Sequence, residues 1–359
     1  MRSEIKTAII MGAIIAGAIG GLGAYFASLD QSVNIQSDSP IDKSRFDKAP
    51  ELVGIAGYIN ADSTLSEKIK GKVVLYDIWT YSCINCQRTI PYITAWDEKY
   101  SEQGLVIIGI HSPEFEFEKD INNVKLVVEK FGINYPVVLD NDKKIWDAFE
   151  NRYWPRKYLA DDEGYIRYDH IGEGAYDETE KIIQQLLEER AKKLGLNVVS
   201  AQPLVNIDEF EHGSRTPELY FGYDFAFGRS QIGNSEGFRP NQQVKYAIPD
   251  KLYENNFYME GTWENLEDKM ILVSDSGRIV LPYFAKEVNL VAGGNSELEI
   301  FLDGAKITEP NQGADVQDSK VIVKDSTLYN LVRTAEPSSH VIEIQAKQPG
   351  FEIYTFTFG

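Results

Sequence analysis

Cys83 and Cys86, in the stretch WTYSCINCQRTIPY, are the only cysteines of a 359-residue chain, and only Ile84 and Asn85 separate them. A bridge between them closes too small a loop to restrict the unfolded chain much, so stapling is not their purpose. Two thiols one helical turn apart either hold a ligand together or do chemistry together. A structural zinc wants four ligands, and the other soft donors, His111, His170, His212 and His340, are not paired at ligand spacing. Redox chemistry is the better fit, with no metal. Cys83 follows an apolar run ending near Trp79 and opens a helical stretch, where unpaired backbone N–H groups and the helix dipole favour an anion. Such placement lowers a thiol pKa from about 8.5 to about 3.5–7.5. Cys83 is then the nucleophile and Cys86, one turn inside, the resolving thiol.

Three neighbours bear on the pair. Asp77 lies inside the apolar run VVLYDIW, where a charge is costly unless something uses it. It either pairs at a strand end or lies beneath the cysteines and shuttles a proton to and from Cys86; its distance from the strand's end favours the second. Pro91 sits inside the helix that Cys83 starts, against propensity, and marks a kink. Trp154-Pro155 immediately precedes a strand and, read locally, is an ordinary trans proline. A thiol-peroxidase reading also exists, since Thr80 and Cys83 make a T-x-x-C, but Tyr76 stands where that arrangement places a proline.

The elements that position these residues follow from periodicity. GKVVLYDIW and LVIIGI read as buried strands, CQRTIPYITAWDEKY and EKDINNVKLVVEKFG as helices, then the strand YPVVLD and the helical KKIWDAFE. RKYLAD and YIRYDHI around Glu163-Gly164 read as a hairpin, and DETEKIIQQLLEERAKKLG as a closing helix. Strands alternating with helices imply an α/β domain with a mixed sheet. From about residue 216 short alternating strands follow one another, KMILVSDSGRIVLPYF, EVNLVAGG, SELEIFLDGAKI and others, the pattern of a β-sandwich. The expected division is 1–6 cytoplasmic, 7–29 spanning, 30–48 tether, 49–195 α/β domain, 196–215 joint and 216–359 sandwich.

The span rests on an uncharged stretch from 7 to 29, long enough to cross a hydrocarbon core, with Arg2 and Lys6 before it and Asp30 after. That charge order keeps the amino end inside and exports the rest. A cleaved signal peptide is the rival; its apolar part is usually shorter, and AYFASL fits a cleavage site poorly. The net charge of -19, spread along the chain, repels nucleic acid.

Together, WTYSCINC and YWPRKYLADDEG, in this order and at this separation, resemble the thioredoxin-like domain of the DipZ group, relatives of the exported TlpA, ResA and DsbE thioredoxins. The resemblance covers 49–194 and extends more weakly into TPELYFGY, GTWE, EVNLV, FLDG and YTFTFG, which are similar to a jelly-roll, carbohydrate-binding-like domain. It implies that Cys83 attacks a partner disulfide, that Cys86 resolves it, that Asp77 is the buried acid and Pro91 the kink proline. It also implies that Pro155 is cis and faces the cysteines, with Trp79, Trp154 and Pro155 contacting substrate. No cofactor is implied beyond the Cys83–Cys86 disulfide. DipZ proteins carry a multi-helix electron-transfer domain ahead of this one, so a single span implies a separate CcdA-like membrane donor, or an oxidant. The expected partners are exported proteins with disulfides or thiols, a cytochrome-maturation substrate among them.

Trp263, Tyr253, Tyr258, Tyr283 and Tyr354 would stack on sugar rings if they lined one exposed face; filling a sandwich core is their commoner use. A rival function follows, a surface carbohydrate- or protein-binding module on an inert α/β scaffold. The intact cysteine pair and Asp77 favour a membrane-anchored thiol–disulfide oxidoreductase.

Overall fold

Seven consecutive buried residues, Val73–Trp79, form the central strand of the first sheet. The computed structural model describes residues 42–196 and 203–359. The expected span at 7–29 lies outside the described residues, among which no helix is long and apolar enough to cross a membrane. In chain order the first region comprises β1 (Gly57–Ile59), α1 (Leu65–Lys68), β2 (Val73–Trp79), α2 (Ile84–Tyr100), β3 (Leu105–His111), α3 (Ile121–Lys130), β4 (Val137–Leu139), α4 (Lys144–Ala148), β5 (Arg156–Ala160), β6 (Ile166–Ile171) and α5 (Tyr176–Leu194). The strands stand in the order β1-β4-β3-β2-β5-β6. β2, β3 and β4 are parallel, whereas β1, β5 and β6 pair antiparallel, so the sheet is mixed as expected.

Helices cover both faces, which is why β2 reads as an unbroken apolar run. Val73, Leu75 and Trp79 face the core under α2 and α5, with Ile90, Ile93, Trp96, Ile183 and Leu186. Val74, Tyr76 and Ile78 face the opposite side, against Ile145, Trp146 and Phe149. Asp77 shares the parity of Leu75 and Trp79 and therefore points beneath α2. The far end of α2 is anchored by the buried Glu180, whose carboxylate accepts from Trp96 Nε1 at 3.1 Å and the Tyr100 hydroxyl at 2.6 Å. The hairpin turns at Gly164, whose φ of 82° suits glycine.

The second region is all β: β7 (Leu219–Tyr220), β8 (Gln243–Tyr246), β9 (Tyr258–Asn265), β10 (Met270–Leu272), β11 (Gly277–Gly293), β12 (Ser296–Leu302), β13 (Ala305–Lys306), β14 (Lys320–Val323), β15 (Thr327–Ala346) and β16 (Glu352–Phe358). They join in one continuous antiparallel sheet around a shared core. The sequence reads GRIVLPYF and EVNLVAGG as separate strands; they are one, β11, carried through Ala285/Glu287 by a bulge. β11 and β15 pair along nearly their whole length and bend at these irregularities. Both regions belong to one compact unit, Phe46–Gly359.

Candidate redox site

The residues before α2 decide the site. β2 ends at Trp79, the chain turns through Thr80–Ser82, and Cys83 caps the helix in an extended conformation. Its Sγ accepts the Cys86 N–H at 3.2 Å, so one of the helix's unpaired donors points at the outer sulfur. Both cysteines are free thiols; Cys83 is half-buried and Cys86 buried. Burial pushes the Cys86 thiol well above its ordinary pKa, helped by the Cys83 sulfur beside it and by Asp77. Such a thiol needs a base before it can attack.

A carboxyl group with the chemistry for that role lies on the strand below. Asp77 is buried and its Oδ1 has no hydrogen-bond partner, and burial raises its carboxyl from 3.8 to about 6, against the opposing pull of Lys157. Lys157 is its cross-strand neighbour on β5, equally buried, with Nζ donating to the Gly172 carbonyl at 3.0 Å. Burial lowers the Lys157 pKa while Asp77 and Cys86 raise it. A proton passed between Cys86 and Asp77 therefore moves within a pocket whose one fixed cation balances the same negative charge before and after. Lys157 is absent from the sequence reading, although a lysine inside RKYLA breaks an apolar strand just as Asp77 does.

Glu118 is a second unanticipated residue. Its buried carboxylate accepts from Ser82 N at 3.2 Å, Ser82 Oγ at 2.7 Å, Glu114 N at 2.6 Å and Phe115 N at 3.0 Å. It thereby holds the residue preceding Cys83 against the segment that leads into α3. Tyr81 is clamped beside it, stacked on His111 with centroids 5.7 Å apart. Burial holds the His111 imidazole down at about 3, so it is neutral and serves as packing.

Of the expected substrate contacts, Trp154 is half-buried and anchored by Nε1 on the Ser112 carbonyl at 2.9 Å. The Trp154-Pro155 bond is cis. Ile78 pairs with Arg156, which sets Pro155 at the end of the sheet where the Cys83 turn emerges. Trp79 departs from expectation. It is 1% exposed, its ring meets His111 edge-on at 5.3 Å, and a Cβ on Gly109 would come within 3.0 Å of its Nε1. Trp79 is core and cannot touch a substrate. Pro91 lies within the continuous α2, on its exposed side.

The aromatic residues offered for sugar stacking also depart from expectation. Trp263, Tyr258, Tyr283 and Tyr354 are buried, and Tyr253 alone of the five is exposed. Trp263 and Tyr283 lie in the core of the sheet, Tyr354 is covered by Phe115 and Phe117, and Tyr258 is covered with its hydroxyl accepting from Tyr253 N, so these four make no exposed sugar platform.

A family described as "Redoxin" matches residues 47–187, and one described as "Thioredoxin like C-terminal domain" matches residues 216–359. The chain is 32% identical over 341 residues to "Protein DipZ" of Mycobacterium bovis, covering 94% of this chain and 46% of that protein. It thus spans about half the length of that relative. It is 31% identical over 140 residues to "Thiol-disulfide oxidoreductase YkuV" of Bacillus subtilis, covering 39% of this chain and 94% of that one. Among solved structures, one described as the solution structure of a thioredoxin-like protein in the oxidized form is 29% identical, covers 40% of this chain and 97% of that one, and aligns with a TM-score of 0.38. The chain belongs to the thioredoxin-like thiol–disulfide oxidoreductases and is DipZ-like along nearly its whole length.

Proposed function

We propose that this chain exchanges the Cys83–Cys86 dithiol and disulfide with protein substrates on the outer side of a membrane. The observation that carries the reading is the stack at the α2 N-terminus: Cys83 Sγ receiving the Cys86 N–H, and Cys86 above the buried Asp77 and Lys157. In the reducing direction, Cys83 sulfur attacks one sulfur of a substrate disulfide, and the other leaves as a thiolate. Asp77 then takes the Cys86 proton, Cys86 sulfur attacks Cys83 sulfur, and the substrate leaves as its second thiolate with the Cys83–Cys86 bond formed. The oxidising direction is the reverse.

What supports a membrane anchor is the uncharged stretch 7–29 and the charges around it. An anchored reductant draws its electrons from a membrane donor, for which a CcdA-like protein has the right chemistry, and a cytochrome-maturation substrate fits the same reading. We take the all-β region as jelly-roll-like and as part of the redox module; the burial of Tyr258, Trp263, Tyr283 and Tyr354 favours that over sugar binding. The test is the reduction potential of the pair, by equilibration with glutathione or dithiothreitol and mass readout of free thiols. A value near about -270 mV identifies a reductant and one near about -120 mV an oxidant. A pair that does not cycle rejects the reading.

A further inference from the structure

The all-β region reaches the cysteines from two sides. Tyr81, two residues before Cys83, gives its hydroxyl proton to the Ser326 carbonyl at 3.2 Å. Arg88, two residues after Cys86, pairs with Glu287 of β11 at 3.1 Å, and the two side chains are only 11% and 7% exposed. Arg333 Nε holds the other Glu287 oxygen at 2.8 Å. A third tie is aromatic: Phe115 and Phe117 pack on Tyr354 at 5.1 and 4.8 Å. Tyr81 thus lies against Ser326 of the loop 324–326, and the Arg88–Glu287 pair and a shared aromatic cluster join the two regions around it. Tyr153, which is 53% exposed, and the half-buried Trp154 precede the buried Pro155 beside the site.

We propose that this loop is a specificity wall. It admits a cysteine carried on an extended or flexible segment, laid along Trp154-Pro155, and excludes a disulfide on the surface of a folded protein. The physical reason is size. A single strand occupies about 5 Å in its own sheet plane and about 10 Å across it, whereas even a 100-residue globule has a radius of gyration of about 13 Å. The proposal rests on the exchange reading above and names its substrate class; the covalent steps are those already given.

The test uses the full reduced chain and three probes bearing the same kind of disulfide: oxidised glutathione, an unstructured peptide with one glutathionylated cysteine, and a rigid folded protein with one glutathionylated surface cysteine. The peptide is expected to react at least about tenfold faster than the folded protein. Glu287→Ala unties the wall and raises the folded-to-peptide rate ratio. Asp325→Trp, at an exposed loop position, narrows the opening and lowers the peptide rate relative to oxidised glutathione by about tenfold. If the wild type reacts with oxidised glutathione but treats peptide and folded protein alike, the wall is refuted and exchange stands. If Asp325→Trp moves all probes together, the wall is again refuted. If the wild type does not react with oxidised glutathione at all, the exchange reading falls and the wall with it.

Discussion

Asp77 and Lys157 face each other across β2 and β5, both buried, with Cys86 close enough to feel both charges. A carboxylate and an ammonium taken out of water together are expensive unless each compensates the other. Both lie by the Cys86 thiol, away from any surface, where the proposed exchange would use them.

Removing the cation should shift the site's pH dependence. In Lys157→Met the Asp77 carboxylate loses its neighbouring positive charge, so its pKa rises above the present value of about 6 and the base form becomes scarcer near neutrality. Resolution of a Cys83 mixed disulfide should then slow several-fold at pH 7, with the midpoint of its pH profile moved up by about one pH unit. Stopped-flow profiles of Lys157→Met and Lys157→Arg check this; the arginine should restore the midpoint, which a purely structural defect would not.

Stability should move opposite to activity at Asp77. Its folded pKa is raised from 3.8 to about 6, so its burial is tolerated best below pH 4, and stability is lost as pH rises through about 6. A difference of about two pH units corresponds to about 3 kcal/mol at neutral pH. Asp77→Asn should therefore be more stable than wild type by up to about 3 kcal/mol at pH 7–8, flatten the stability profile between about pH 4 and 6, and slow disulfide exchange. Denaturant titrations at several pH values give the profile.

Glu118 should matter to both fold and site. Glu118→Ala leaves four donors around Ser82, Glu114 and Phe115 without their acceptor. Some are relieved by water, so the expected loss is about 3–5 kcal/mol, with a slower reaction at Cys83 as its turn loosens. Glu118→Gln keeps the shape and one acceptor oxygen and should lose about half as much. Chemical denaturation and alkylation of Cys83 measure the two effects.

The local parts of this site are legible in the sequence and the long-range parts are not. The cysteine spacing, the helix they open and the charge buried at Asp77 are properties of one local segment, Asp77–Tyr100, and survive into the structure. Lys157 becomes Asp77's partner only through a β2–β5 register between residues 80 positions apart. Glu118 opens the stretch EKDINNVKLVVEKFG that reads as a helix, and nothing local marks it until the chain folds it back onto Ser82. Trp79 ends a run that reads as a buried strand, and only the family resemblance makes it a substrate contact; its pairing with His111 keeps it inside. Ala285-Lys286 falls between two strands in the sequence reading; a bulge keeps β11 running through it, and Glu287 is turned toward Arg88.

The proposed exchange has Cys83 attacking and Cys86 resolving. The direct measurement is to incubate full-length Cys86→Ser and Cys83→Ser chains with a peptide disulfide and read the products by intact mass and peptide mapping. A long-lived mixed disulfide through Cys83 is expected in the first variant and almost none in the second, whose remaining thiol is buried and held protonated. An adduct formed equally fast on Cys86, or no adduct on Cys83, would contradict it.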